Sequence, residues 1–164
     1  MVRRLCWIVA CLCLAAACGQ PPTLTDTFPS DEDLARAVLE AVAARDQEAL
    51  SRMALTKDEF EDLVWPALPA SRPEVGMPAD YVWQDTFTKS RGYLAQTLQE
   101  YGGQRFTLVR IGFRGETTTQ PGYEVSRDSY LVVRDASGQE RTIRLFGSVI
   151  RQDGRSKVYS YIVD

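Results

Sequence analysis

The stretch GSVIRQDGRSKVYSY, residues 147–161, decides how the chain is read. Two runs rich in β-branched and aromatic residues flank Asp153-Gly154, a dipeptide of the length and chemistry that closes a hairpin. Working outward, the same composition recurs over 106–113, 123–134 and 141–150, with the last strand over 157–163. The connections hold turn residues: Gly115, Pro121-Gly122 and Asp135-Ala136-Ser137-Gly138. Four sequential strands joined this way predict an antiparallel meander.

Upstream of residue 103 the pattern is helical. Ser30 followed by Asp31, Glu32 and Asp33 sets a cap and places acids at the positive end of a helix dipole. Leu34, Val38, Ala41 and Val42 then share one face. A short helix is expected over 46–53. A third begins at Thr56, where Thr56 and Glu59 form a capping box and Leu55 and Phe60 a hydrophobic staple; it ends before Pro66. Residues 66–78 hold four prolines and Gly76 and read as a loop. The longest helix opens at Pro78 or Asp80, carries Trp83, Phe87, Leu94, Leu98 and Tyr101 as its stripe, and stops at Gly102-Gly103. Helices first and strands after predict an α+β domain over 31–164, with the helices packed on one face of a curved four-stranded antiparallel sheet.

The amino end is a different kind of sequence. Arg3 and Arg4 precede an apolar run over 5–17, too short to span a bilayer and suited to the core of a signal peptide. All four cysteines, Cys6, Cys11, Cys13 and Cys18, lie in the first eighteen residues. Cleavage before Cys18 leaves one thiol, so no internal disulfide or cysteine-cluster metal site can form. The sequence Leu14-Ala15-Ala16-Ala17-Cys18 resembles the lipobox of bacterial lipoproteins. That resemblance implies diacylglycerol on the Cys18 thiol and residues 1–17 as the leader. Gly19 after the cysteine, rather than aspartate, further implies, in a Gram-negative cell, the outer membrane facing the periplasm. Residues 18–30, with their proline, threonine and serine, read as a flexible tether spanning at most ~40 Å.

Composition narrows the chemistry. No histidine and no asparagine occur, so a histidine general base, a Ser-His-Asp triad and an N-glycosylation acceptor are absent. No phosphate loop, dinucleotide fingerprint, zinc-protease motif or calcium loop is found. The acids Asp58, Glu59, Glu61 and Asp62 lie at a helix start, where capping and dipole account for them, so no metal or other cofactor is expected. Residues 18–103 hold 7 basic and 15 acidic residues; residues 104–164 hold 10 and 7. The sheet side is therefore mildly basic, with Arg110, Arg134, Arg144 and Arg151 as candidates to face an anionic ligand, polymer or partner. Net negative charge argues against nucleic acid.

Two segments carry a second resemblance. A helix running into Arg45-Asp46-Gln47-Glu48-Ala49-Leu50 and the closing hairpin over 147–161 make the chain similar to the nuclear transport factor two-like superfamily, with its cystatin-like cone. That superfamily holds both binding modules and enzymes such as ketosteroid isomerases, and its members often dimerise through the sheet. The resemblance implies a cone whose wall would include Trp65, Trp83, Phe87, Tyr93 and Phe146. It leaves two readings open. One is a non-enzymatic envelope module that binds a partner protein or small ligand. The other is an isomerase or lyase using Asp85, Glu124 or Asp128 with Tyr93, Tyr123 or Tyr130.

Overall fold

The structure, a computed structural model, describes residues 22–163. The leader and Cys18 lie outside the described residues. Helix α1 (Asp31–Ala44) is capped as its sequence predicts, the Ser30 side chain accepting from the Asp33 N–H. Helix α2 (Gln47–Arg52) follows, capped by Asp46. Helix α3 (Lys57–Glu59) carries both arms of the Thr56–Glu59 capping box. It widens into a π turn over Phe60–Val64 and tightens into a 3₁₀ turn over Trp65–Ala67, where Pro66 halts it. A second 3₁₀ turn, Pro69–Ser71, interrupts the proline-rich loop. Helix α4 (Ala79–Tyr101) is the longest, and none among the described residues is long and apolar enough to cross a membrane.

The strands depart from the expected four. Among the described residues there are seven, in two antiparallel sheets: β1 (Thr107–Phe113), β4 (Ser129–Arg134) and β5 (Glu140–Ile143) in the order β1-β4-β5, and β2 (Thr117–Gln120), β3 (Tyr123–Arg127), β6 (Ser148–Gln152) and β7 (Arg155–Ser160) in the order β2-β3-β6-β7. The runs over 123–134 and 141–150 are each broken near the middle, and β2 lies outside the runs expected from sequence. In the run over 123–134 the break is Asp128, whose φ of 54° is left-handed, a conformation aspartate tolerates better than most residues. Opposite it, residues 114–116 bulge, so the pairing Phe113↔Ser129 gives way to Thr117↔Ser126. The break has a consequence for side-chain direction. Before it, Tyr123 and Val125 face the cluster under α3; after it, Leu131 and Val133 face the cluster under α1. A uniform strand would keep one parity per face.

The helices are not confined to one face. Alternate residues of β6 and β7 point into separate cores. Val149 and Val158 join Leu34, Val38 and Val42 of α1, with Leu50, Leu131, Phe146 and Tyr161. Ile150, with Tyr159 at its edge, joins Phe60, Leu63, Val64 and Trp83. The four-stranded sheet is thus covered by α1 on one side and by the α3–π segment on the other. The β6–β7 turn is Asp153-Gly154, both at positive φ (51° and 74°), the geometry an Asp-Gly hairpin favours. At Gly147 a Cβ would lie 1.6 Å from the Ile162 carbonyl oxygen, so only glycine lets the C-terminal segment cross there.

The proline-rich segment before α1 corrects the tether reading. Over its described part it is strapped to the domain. Phe28 bridges Ser156 through both backbone bonds, each 2.8 Å, and Leu24 N–H donates to Gln152 Oε1 at 2.7 Å. Arg155 donates to the Thr27 hydroxyl and carbonyl. Most of these partners are backbone groups or polar ends brought close only by the β6–β7 hairpin, so local composition cannot reveal them.

Candidate functional site

Three places gather the chemistry-bearing side chains. The first lies beneath the strap. Lys157, on β7, is wholly buried, and Glu59 is 6 % exposed. The Lys157 ammonium donates to Glu59 Oε1 and to the Thr25 carbonyl, each at 2.9 Å. Thr25 N–H and Oγ donate to the same carboxylate oxygen at 2.7 and 2.8 Å, and Thr56 N–H donates to Oε2 at 2.8 Å. Burial by itself would raise the Glu59 carboxyl. The donors from Thr25, Thr56 and Lys157 outweigh it and hold the group below its ordinary value. On the other face of the sheet Arg151 grips Asp31 through two nitrogens, at 2.5 to 3.1 Å, and reaches Glu124 and Ser126 at 2.8 Å. Both clusters are internally satisfied and tie the start of the domain to its last hairpin. No group of acids suited to a metal ion occurs among the described residues.

The second place is a groove between α4 and β7, of about 50 Å³. Trp83, Phe87, Leu94, Tyr159 and Tyr161 supply its apolar surface, and Ser51, Ala54, Leu55, Thr86, Ser90 and Arg91 complete the wall. Phe87 stacks on Trp83 at 5.3 Å between centroids, and the Arg91 guanidinium lies 5.5 Å from the Phe87 ring. The Tyr161 hydroxyl donates to the Leu50 carbonyl at 2.7 Å, and burial raises its pKa strongly. Among the described residues the wall holds no carboxylate. Of the five residues expected to line a cavity, Trp83 and Phe87 do so. Phe146 is fully buried in the main core, Tyr93 packs against that core, and Trp65 packs 6.1 Å from Phe60 on the second cluster. A helical stripe predicts a buried face but not which of its rings border empty space. Leu94, Tyr159 and Tyr161 were missed because they meet the α4 rings only in three dimensions.

The acids weighed for acid–base chemistry are spoken for elsewhere. Asp85 pairs with Lys89 at 2.7 Å, Glu124 with Arg151, and Asp128 with Arg144 at 2.5 Å. Tyr123 is buried, its hydroxyl 3.4 Å from the Val64 carbonyl, and burial raises its pKa.

The third place is the outer face of the three-stranded sheet. Leu131, Val133 and Ile143 point into the core, so Tyr130, Val132, Arg134, Glu140 and Thr142 point away from it. No helix among the described residues covers this side. Tyr130 stands opposite Gly112, and a Cβ at Gly112 would come within 2.5 Å of the phenol, so the ring lies flat across β1. Arg110 and Arg114 flank that ring, 5.2 and 5.0 Å from its centroid, and Arg110 also donates to the Tyr130 hydroxyl at 2.8 Å. Of the four arginines considered from sequence, Arg134, Arg144 and Arg151 are matched by Glu140, Asp128 and the Asp31–Glu124 pair. Arg110 has no carboxylate within ion-pair distance among the described residues, and neither has Arg114, which the sequence reading passed over.

No family model, no curated protein and no solved structure matches the chain.

Proposed function

We propose that the chain is an envelope lipoprotein, anchored through acyl chains on Cys18, whose folded domain is a non-catalytic binding module. The groove between α4 and β7 is the observation that carries the binding role. It presents stacked Trp83 and Phe87 beside Leu94 and Tyr159, with Arg91 at its rim, and the described residues of its wall include no carboxylate to transfer a proton. Phe87 remains 38 % exposed, and Val75, Met77 and Tyr81 carry further exposed apolar surface just upstream. Such surface on a small domain marks a place of contact. The partner is an apolar segment of another envelope protein or a small apolar ligand.

We infer as well that the two sheets behave as one curved surface of the cystatin-like kind. Backbone bonds that carry the ladder across the breaks support this: Arg114 N–H to the Asp128 carbonyl (3.0 Å), Gly115 N–H to Arg127 (3.2 Å), Ser129 N–H to Gly147 (2.9 Å) and Gly147 N–H to Ser160 (2.9 Å).

Two measurements test the proposal. Intact mass of the membrane-extracted protein should show cleavage before Cys18 plus acyl chains, and a Cys18→Ser variant should leave the membrane fraction; an unmodified soluble chain refutes the anchor. An apolar fluorescent dye should brighten on the wild type and lose most of that gain with Phe87→Asp. Equal brightening by the folded variant refutes the groove.

A further inference from the structure

The Arg110–Tyr130–Arg114 face has no role in the groove or in the strap. We propose that this bare sheet face docks on the headgroups of anionic phospholipids in the bilayer that holds the chain, so that the domain lies down on its own membrane. The inference rests on the anchored reading above.

Charge is the first argument. The chain from Cys18 onward is net negative, yet the outer face of β1-β4-β5 gathers Arg110, Arg114, Arg134 and Arg144 against only Asp128 and Glu140. On this face Arg110 and Arg114 have no carboxylate within ion-pair distance among the described residues, and both are held at Tyr130. The ring fixes both side chains over one spot, so less rotamer freedom is lost when they bind. Guanidinium forks match phosphate oxygens in geometry, and a phenol beside them suits the wet edge of a bilayer. The same excess of positive charge opposes a second copy of this face.

The second argument is reach. The strap holds Pro22 and Leu24 to Gln152, which leaves three residues between Cys18 and the first docked residue. Fully extended these span at most ~11 Å, about a quarter of the distance a free tether would allow. A domain held so close to charged headgroups meets them continually, and each nearby arginine adds to attraction.

The test uses the mature chain, residues 18–164, with Cys18→Ser, so that no acyl group contributes. It is sedimented with vesicles of neutral phosphatidylcholine, and with vesicles containing about one-third phosphatidylglycerol, at low and at raised salt. Binding is expected only to the anionic vesicles, weakening with salt and falling roughly 10- to 30-fold in Arg110→Gln/Arg114→Gln. Arg36→Gln/Arg52→Gln, on the helices, should bind as the parent does. Three results overturn the proposal: no binding to anionic vesicles, equal binding by the Arg110/Arg114 variant, or binding of inorganic pyrophosphate at Tyr130 with none to vesicles. Dimers that form through this face, seen by analytical ultracentrifugation and lost in the same variant, would assign it to a second copy instead. Because the chain tested carries no lipid, a failure here leaves the Cys18 anchor untouched. Conversely, a wild-type chain found without acyl groups removes the membrane as the surface this face meets, whatever the vesicles show.

Discussion

The strap-side core and the outer face of β1-β4-β5 both hold cations beside aromatic surface, and they treat them in opposite ways. Lys157 is wholly buried and receives a carboxylate and a carbonyl from its own chain. Arg110 and Arg114 are exposed and receive only the Tyr130 ring and hydroxyl. The contrast follows from solvation. A charge taken out of water without a counter-ion costs several kcal/mol, so a buried cation must bring its partner within the fold. A charge left in water carries no such demand and can leave its counter-ion to another molecule.

Breaking the buried side should have the largest effect. Glu59→Gln leaves the Lys157 ammonium buried with only the Thr25 carbonyl and a neutral amide. A loss of about 3–5 kcal/mol in urea unfolding is expected. The double variant Glu59→Met/Lys157→Met should recover most of it, since neither charge remains to be desolvated. A single variant that loses under about 1 kcal/mol would mean that water reaches the pair.

Acid should act on the same pair more gently, because protonation keeps its shape. The Glu59 carboxyl sits lower in the folded chain than its ordinary value of 4.5. Its contribution is therefore complete above about pH 4.5 and is lost as pH falls through the depressed folded value. Chemical unfolding from pH 6 to pH 3 should show stability declining below pH 4.5, with less decline in the double methionine variant. Parallel curves would locate the acid-sensitive group elsewhere. Alkali acts at the other end. Burial raises Tyr161, Tyr159 and Tyr123, so their neutral forms stabilise the fold below pH 10 and that stability fades as pH rises further.

Gly112→Ala sharpens the other side of the comparison. The added Cβ would meet the Tyr130 ring, which can swing toward solvent, so a loss of about 1 kcal/mol is expected. Quenching of tyrosine emission by the flanking arginines should change with it; a loss of more than about 3 kcal/mol would show that the ring braces the sheet. The smallest effect belongs to Arg110→Gln/Arg114→Gln, which should change stability by under about 0.5 kcal/mol because no buried partner is abandoned. Larger losses would make the pair structural.

The residues also show why some features can be read from sequence and others cannot. Ser30, the Thr56–Glu59 box, the Asp153-Gly154 turn and the order of helices and strands were legible because each depends on neighbours within a few positions. Asp128 was not, since nothing local says that an aspartate in a β-rich run turns left-handed and reverses the side-chain parity. Trp83 and Phe87 were found as rings on one helical stripe, while Trp65, Tyr93 and Phe146 had equal claims and lie elsewhere.

By itself the sequence determined the class, helices followed by antiparallel strands, and the excluded chemistries, since no fold can supply a histidine the chain lacks. Tertiary structure alone decided that both faces of the four-stranded sheet are covered, that residues 22–30 are a strap, and which arginines stay unmatched. The reason is one of range. Caps and turns are settled by energies between adjacent residues, whereas a counter-ion 98 positions away, as Glu59 is from Lys157, exists only once the chain has closed upon itself.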